Sequence, residues 1–347
     1  YKTGSIDGVF AAGGAEANLT AILCALDYTF PDYAANGLMG IPKRPIIYCS
    51  KQAHHSINKA AKIVGLGYMS VRGIAVNKEL KIDIDILQKQ IEKDLEDGGK
   101  PFMLIGTAGT TGSGEIDDLP LLKQIAIRHN LWFHVDAAWG GGAILSKKLK
   151  PLLKGIEDSD SITFDAHKWM SVPMGTSLFI TSVKEILART FRVTTEYMPK
   201  EASALDITDP YTHSIQWSRR FIGLRVYLSL LFYGWEGYEE VIDHQTRMGN
   251  LLRAKLLKNK WNILNKSPLP LVCFSDETYK NDHNFTSTIL QNILDSGKSW
   301  ISIYPINTIP AFRVCITNYN TSEKDLDKLV DELNTERERY INTIKGN

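Results

Sequence analysis

The sequence predicts an α/β protein: a large domain on a mostly parallel sheet over residues 1–250, then a small α+β C-terminal domain over residues 251–347. Three observations predict it. Short apolar runs alternate with helical stretches as far as about Asp209. The polar residues able to carry chemistry fall just after those runs, at the strand ends where open α/β sheets bind ligands. Near the C-terminus the pattern changes to strand, helix, strand, strand, helix. A chain of 347 residues suits one large and one smaller unit.

The strand candidates of the large unit are Pro45 to Cys49, Met103 to Thr107, Leu131 to Asp136, Ser161 to Phe164 and Thr176 to Thr181. A long helix is expected from about Gln216 to Leu257, where Phe221, Leu224, Tyr227, Leu228, Leu231 and Phe232 recur at three and four residues and would bridge the two units. In the small unit, Trp261 to Ser275, Trp300 to Tyr304 and Ala311 to Ile316 read as strands, and Phe285 to Leu294 and Glu323 to Tyr340 as helices.

Forty basic against thirty-nine acidic residues leave a net charge of +1, which implies no polyanion-binding surface and no nucleic-acid partner. No run of eighteen apolar residues predicts a membrane span. Cys24, Cys49, Cys273 and Cys315 lie far apart without ligand spacing, so neither a metal site nor a disulfide framework is expected; buried thiols in a reducing, cytoplasmic setting are. The chain opens at Tyr1 without methionine, which reads as a trimmed start.

Lys168, in Asp165-Ala166-His167-Lys168-Trp169 after the Ser161 to Phe164 run, carries the strongest chemical signal. A lysine at the mouth of an apolar sheet, desolvated and near cations, becomes a nucleophilic amine able to join a carbonyl; a snorkelling surface lysine is the plain alternative. Asp136 ends the run Leu131 to Val135, and a carboxylate at that depth needs a cationic partner, such as a protonated pyridine nitrogen, unless it merely caps a turn. Ala138, on the same side, would let a flat ring approach. Gly13-Gly14-Ala15 before a helix offers backbone N–H groups to a phosphate, although it matches no standard phosphate motif. Thr107 to Gly114 adds hydroxyl and N–H donors, and His54 or His55 could stack on an aromatic ligand. Each feature is ambiguous singly; together they fit pyridoxal phosphate.

The ordered segments GGAEAN, QAHHS, GTAGTTGSGEIDD, HVDAAWGGG and DAHKWMSVP closely resemble the group II pyridoxal-phosphate decarboxylases, which include the aromatic amino acid, glutamate, cysteine sulfinate and diaminobutyrate enzymes. The resemblance continues into residues 214–220 (SIQWSRR) and 312–314 (FRV). It implies an aspartate-aminotransferase-like fold (fold type I), a homodimer with the active site at its interface, and decarboxylation of an L-amino acid to the amine and carbon dioxide. It also implies that this chain lacks the family's N-terminal segment, where much of substrate choice lies, so the amino acid stays open.

By the same resemblance, Lys168 corresponds to the Schiff-base lysine, Asp136 to the partner of the pyridine nitrogen, His54 to the ring over the cofactor and Ala138 to the residue under its other face. Gly14 and Ala15 correspond to the phosphate turn, His167 to the phosphate neighbour, Thr111 to a residue near the ring and Ser218 to a position lent to the partner subunit's phosphate. Tyr197 corresponds to the loop tyrosine that protonates the former α-carbon, and Arg313 to an arginine that holds a substrate carboxylate. Two rival readings stand beside this: transamination or carbon–carbon lysis on the same cofactor, and a catalytically silent cofactor-binding protein.

Overall fold

Strands buried along nearly their whole length can be covered on both faces, and the middle of this molecule is built from them. The computed structural model describes residues 1, 6–193 and 208–346. Its first part runs β1 (Asp7–Ala11), α1 (Gly14–Thr29), α2 (Tyr33–Asn36), β2 (Pro45–Ser50), α3 (Ser56–Ile63), β3 (Val71–Ile74), α4 (Ile84–Glu96), β4 (Lys100–Thr107), α5 (Leu119–His129), β5 (Trp132–Asp136), β6 (Ser161–Phe164), β7 (Ser177–Thr181) and α6 (Ile186–Phe191). The second part runs α7 (Gly223–Lys258), β8 (Trp261–Ile263), β9 (Leu271–Asp276), α8 (His283–Ser296), β10 (Ser302–Ile306), β11 (Ile309–Cys315) and α9 (Glu323–Gly346).

The large sheet has the order β1-β7-β6-β5-β4-β2-β3. All its pairings are parallel except those of β7, which is antiparallel to β1 and β6. This is the mostly parallel α/β architecture expected. Tyr48, Leu104, Phe133 and Val135 pack against α4 and α5 on one face. Ile47, Met103, Ile105 and Trp132 pack on the other against α1 and α3. Burying each such side chain stabilises by about 1.5–3 kcal/mol. The helices begin where side chains satisfy their free N–H groups: Asp83 accepts from Ile86 N at 3.1 Å, and Asp118 from Leu121 N at 3.1 Å. Helix α5 stops at Asn130, in the left-handed region with φ 52°.

The small sheet, β10-β11-β9-β8, is antiparallel throughout. Its core joins Phe274 and Phe312 to Phe285 of α8, Leu329 of α9 and Leu252 of α7. Helix α7 thus serves both units, with Tyr238 and Ile242 in the core of the large one.

Four expectations are corrected. Strands β1 and β3 were not anticipated; Val71–Ile74 carries Arg72 and Gly73 and has no apolar run. The single strand Trp261 to Ser275 is two strands, because Pro268 and Pro270 interrupt the ladder between them. Helix α7 begins at Gly223 rather than Gln216, and Gly234 breaks it with φ 64° and ψ −179°. Its apolar repeat does not enter the core of this chain: Tyr227 is 62% exposed, Leu231 68% and Phe232 81%.

Three of the four cysteines, Cys24, Cys49 and Cys273, are buried, and burial pushes each thiol up to about 12; Cys315 is half-buried. Among the described residues no helix is long and apolar enough to cross a membrane, and no group of three or more metal-ligating side chains converges.

Candidate active site

The C-terminal ends of β2, β4, β5 and β6 open into a cleft of about 250 Å³. Gly14, Ala15, His54, Thr111, Asp136, Ala138, His167 and Lys168 all line it, so eight of the residues singled out in the sequence meet in one place.

Asp136 is the last residue of β5 and is 4% exposed. Its Oδ2 accepts from Asn18 Nδ2 at 3.0 Å and its Oδ1 from Ala138 N at 3.1 Å. Among the described residues no lysine or arginine lies within ion-pair distance of it. A buried carboxylate held by neutral donors alone has capacity for a cation in the cleft. Ala138 belongs to the turn after β5 rather than to the strand face, and it reaches the cleft through that turn.

Lys168 follows β6 and is half-buried; its Nζ donates to Asp165 Oδ2 at 3.0 Å. Its immediate neighbour is thus a carboxylate, not the cationic group expected of an activated lysine. Asp165 is 1% exposed at its side chain and also lies 3.8 Å from His167 Nε2. His167 is held by Thr176, whose carbonyl lies 2.9 Å from its Nδ1.

His54 sits on the loop between β2 and α3. Ser56 N donates to its Nδ1 at 3.2 Å, so in the neutral ring the proton belongs to Nε2. Partial desolvation, then the nearby Lys168 and His55, lower its pKa from the ordinary histidine value against the opposing pull of Asp136.

Helix α1 opens on Gly13 and Gly14 without a side-chain cap. The Gly14 and Ala15 N–H groups find no acceptor among the described residues and point from a helix N-terminus, where anions are favoured. A Cβ on Gly14 would lie 2.7 Å from Asp165 Oδ2, so a side chain there would have to displace that carboxylate.

The small unit closes the lip. Arg313 Nε donates to the Thr111 carbonyl at 2.8 Å, and Tyr304 Oη donates to Gln52 Oε1 at 2.6 Å, two residues before His54. Arg313 does not itself line the cleft, nor does Ser218, which is exposed. Tyr197 lies outside the described residues.

Sequence reasoning missed Asn18, Ser56, Trp139 and Asp165, which also line the cleft, as does Gly109 of the nominated Thr107 to Gly114 loop. Asp165 stood three residues before the nominated lysine, the spacing of an adjacent pair on a turn, and that signal was available. Thr107 Oγ1, Trp139 Nε1 and Asp165 Oδ1 are buried there without a hydrogen-bond partner among the described residues. Such orphaned polar atoms mark a site shaped for a polar ligand. The donor set fits pyridoxal phosphate: an anion acceptor on α1, an uncompensated carboxylate for a ring cation, and an amine.

Comparison with known proteins agrees. Residues 2–277 match the family model described as the pyridoxal-dependent decarboxylase conserved domain. An aromatic-L-amino-acid decarboxylase from Bacillus atrophaeus is 30% identical over 329 residues, covering 93% of this chain and 67% of that protein. An acidic amino acid decarboxylase from Bos taurus is 28% identical over 343 residues, covering 94% and 66%. The chain thus spans about two thirds of the length of these relatives. The crystal structure of mouse CSAD in apo form superposes with a TM-score of 0.87 at 28% identity, covering 95% of this chain and 72% of that one.

Proposed function

Because this chain belongs to the pyridoxal-dependent decarboxylase family, with pyridoxal phosphate as cofactor, we propose that the whole protein converts an L-amino acid to its amine and carbon dioxide. The observation that carries this is the pairing, across one cleft, of a reachable lysine amine at residue 168 with a buried carboxylate at residue 136 that lacks a cation.

Lys168 would hold the cofactor through its amine, Asp136 its ring nitrogen, and His54 and Ala138 its two faces. Gly14 and Ala15, with His167 beside them, would receive the phosphate, and Thr111 would flank the ring. When bound, this cofactor supplies an electron sink for the charge that develops at the substrate α-carbon. Asp165 receives the Lys168 ammonium when that amine is free, which keeps it beside the cleft for substrate release. His54, protonated on Nε2, presents a donor to the cleft. Tyr197 is assigned the proton that returns to the α-carbon, relayed by His54. Arg313, its Nε anchored on Thr111, is assigned to a substrate carboxylate, since a planar fork suits that group.

The protein is further proposed to be a homodimer in a reducing, cytoplasmic setting. The apolar side chains of α7 left exposed in one chain, Leu224, Tyr227, Leu231, Phe232 and Trp235, support a second copy packing there, and Ser218 would then reach its partner's phosphate. We place the division between the two units near residue 250, within α7, whose two ends pack in different cores.

The test is carbon dioxide release measured with a panel of L-amino acids. One substrate class giving carbon dioxide and amine in equal amounts is expected. Transamination without carbon dioxide release would refute the reading.

A further inference from the structure

Along β5 the residues Trp132, His134 and Asp136 share one side of the strand, because side chains alternate with a period of two. That side faces α1, which contributes Asn18, and the neighbouring β6 adds Ser161 beside His134 and Thr163 beside Asp136. The result is a buried polar ladder: Asn18 is 3% exposed, His134, Ser161 and Thr163 each 0%.

The direction of its hydrogen bonds follows from the one member that can act in a single sense. The Trp132 indole can only donate, and it donates to Ser161 Oγ at 2.8 Å. The hydroxyl proton of Ser161 is then free for His134 Nδ1, also at 2.8 Å. An accepting Nδ1 puts the ring proton on Nε2, which faces Asn18 Oδ1 at 3.1 Å and Thr163 Oγ1 at 3.2 Å; Thr163 Oγ1 in turn donates to the same Asn18 oxygen at 2.8 Å. With its oxygen saturated by donors, Asn18 must turn its amide nitrogen the other way. There it donates to Asp136 Oδ2 at 3.0 Å and to Ser56 Oγ at 2.9 Å. Ser56 in turn donates through its backbone N–H to His54. Full burial lowers the His134 pKa to about 4, so the ring stays neutral and its tautomer is set by its partners.

We propose that Asn18, backed by His134 and Ser161, is the positioning residue that holds the Asp136 carboxylate aimed into the cleft while tying the His54 loop to the same point. From Trp132 through Ser161 and His134 to Asn18, each donor points toward the carboxylate, and such aligned chains polarise one another. Flipping the Asn18 amide would set two lone-pair-bearing oxygens against each other at the carboxylate, so the chain has one low-energy sense. The inference rests on the cofactor reading above, since only a ring cation in the cleft gives this aim a use.

Two measurements on the full chain test it. In the holoenzyme with ¹⁵N-labelled histidine, the resonance lost in His134→Gln should report Nε2 protonated and Nδ1 bare at neutral pH. A protonated Nδ1 there would overturn the directed chain, and the reading is taken on the parent protein, with the variant serving only to assign the resonance. Second, pyridoxal phosphate is titrated into apoprotein. Asn18→Ala should weaken its binding about ten- to a hundred-fold and move the cofactor's absorbance toward that of an unprotonated ring nitrogen. His134→Gln, whose amide can replace the Nε2 donor, should stay within about three-fold of the parent, whereas His134→Leu should resemble Asn18→Ala. A parent that takes up no pyridoxal phosphate would sink the functional reading and this inference together. A parent that binds it, with Asn18→Ala equal to it in affinity and spectrum, would sink this inference alone.

Discussion

The two faces of β5 differ in kind although they lie one residue apart. Phe133 and Val135 point into a dry core against α4 and α5, while Trp132, His134 and Asp136, interleaved with them, point toward α1 into a hydrogen-bonded ladder. One strand therefore anchors the fold on one side and aims a carboxylate on the other. The lesson is that a buried strand end supports chemistry when its polar side chains are satisfied in sequence back into the sheet. Substitutions on the dry side should cost stability, and those on the ladder or at its cleft should cost function.

The largest expected effect is at the cleft: Lys168→Ala should lower carbon dioxide release by at least about a thousand-fold, and it should also lower the melting temperature because it leaves the buried Asp165 carboxylate without its ammonium partner. Assay and calorimetry on one preparation would check both halves. Next comes the dry face. Phe133→Ala leaves a hole in the core and should cost about 3–5 kcal/mol in urea unfolding, while any protein that remains folded still binds pyridoxal phosphate.

The ladder predicts a pH effect of intermediate size. His134 is depressed in the folded state to about 4 from the ordinary 6.5, so below the unfolded value the unfolded chain binds more protons and stability falls with acidification. Between about pH 7 and pH 5 the parent should lose about 2 kcal/mol more than His134→Gln. Asp117, raised by burial to about 6, acts with opposite sign but is common to both proteins and cancels in the comparison. Equal pH slopes in denaturant titrations would contradict a neutral buried His134. The smallest effect tests the dry face's edge: Asp118→Ala removes the cap of α5 and should cost about 1 kcal/mol with cofactor affinity unchanged.

Much of this was legible beforehand. The apolar runs at Pro45, Met103, Trp132 and Ser161 are strands because full burial requires such runs, and the residues following them form the cleft. The glycine pair at Gly13 and Gly14 opens α1 as expected, although the crowding of Gly14 by Asp165 comes from a strand far away in sequence. β3 was hidden because an edge strand of four residues with an arginine and a glycine carries no periodic signal. The apolar repeat of α7 announced a helix joining the two units but not that this face is exposed, since periodicity reports that a face is apolar but not what covers it. His134 was passed over as part of an apolar run, although a histidine two residues before a buried aspartate lies on the aspartate's side of the strand. That spacing was a usable signal for the ladder, whereas Asn18, reached only through the packing of α1 on the sheet, was not.

The central claim is that the amine of residue 168 carries the cofactor opposite Asp136. Borohydride reduction of protein loaded with pyridoxal phosphate, followed by peptide mass spectrometry, tests it most directly. The account predicts a single pyridoxyl mass on the peptide containing Lys168, removed when a substrate amino acid is added before reduction. Label on another lysine, or none on a protein that still releases carbon dioxide, would contradict it.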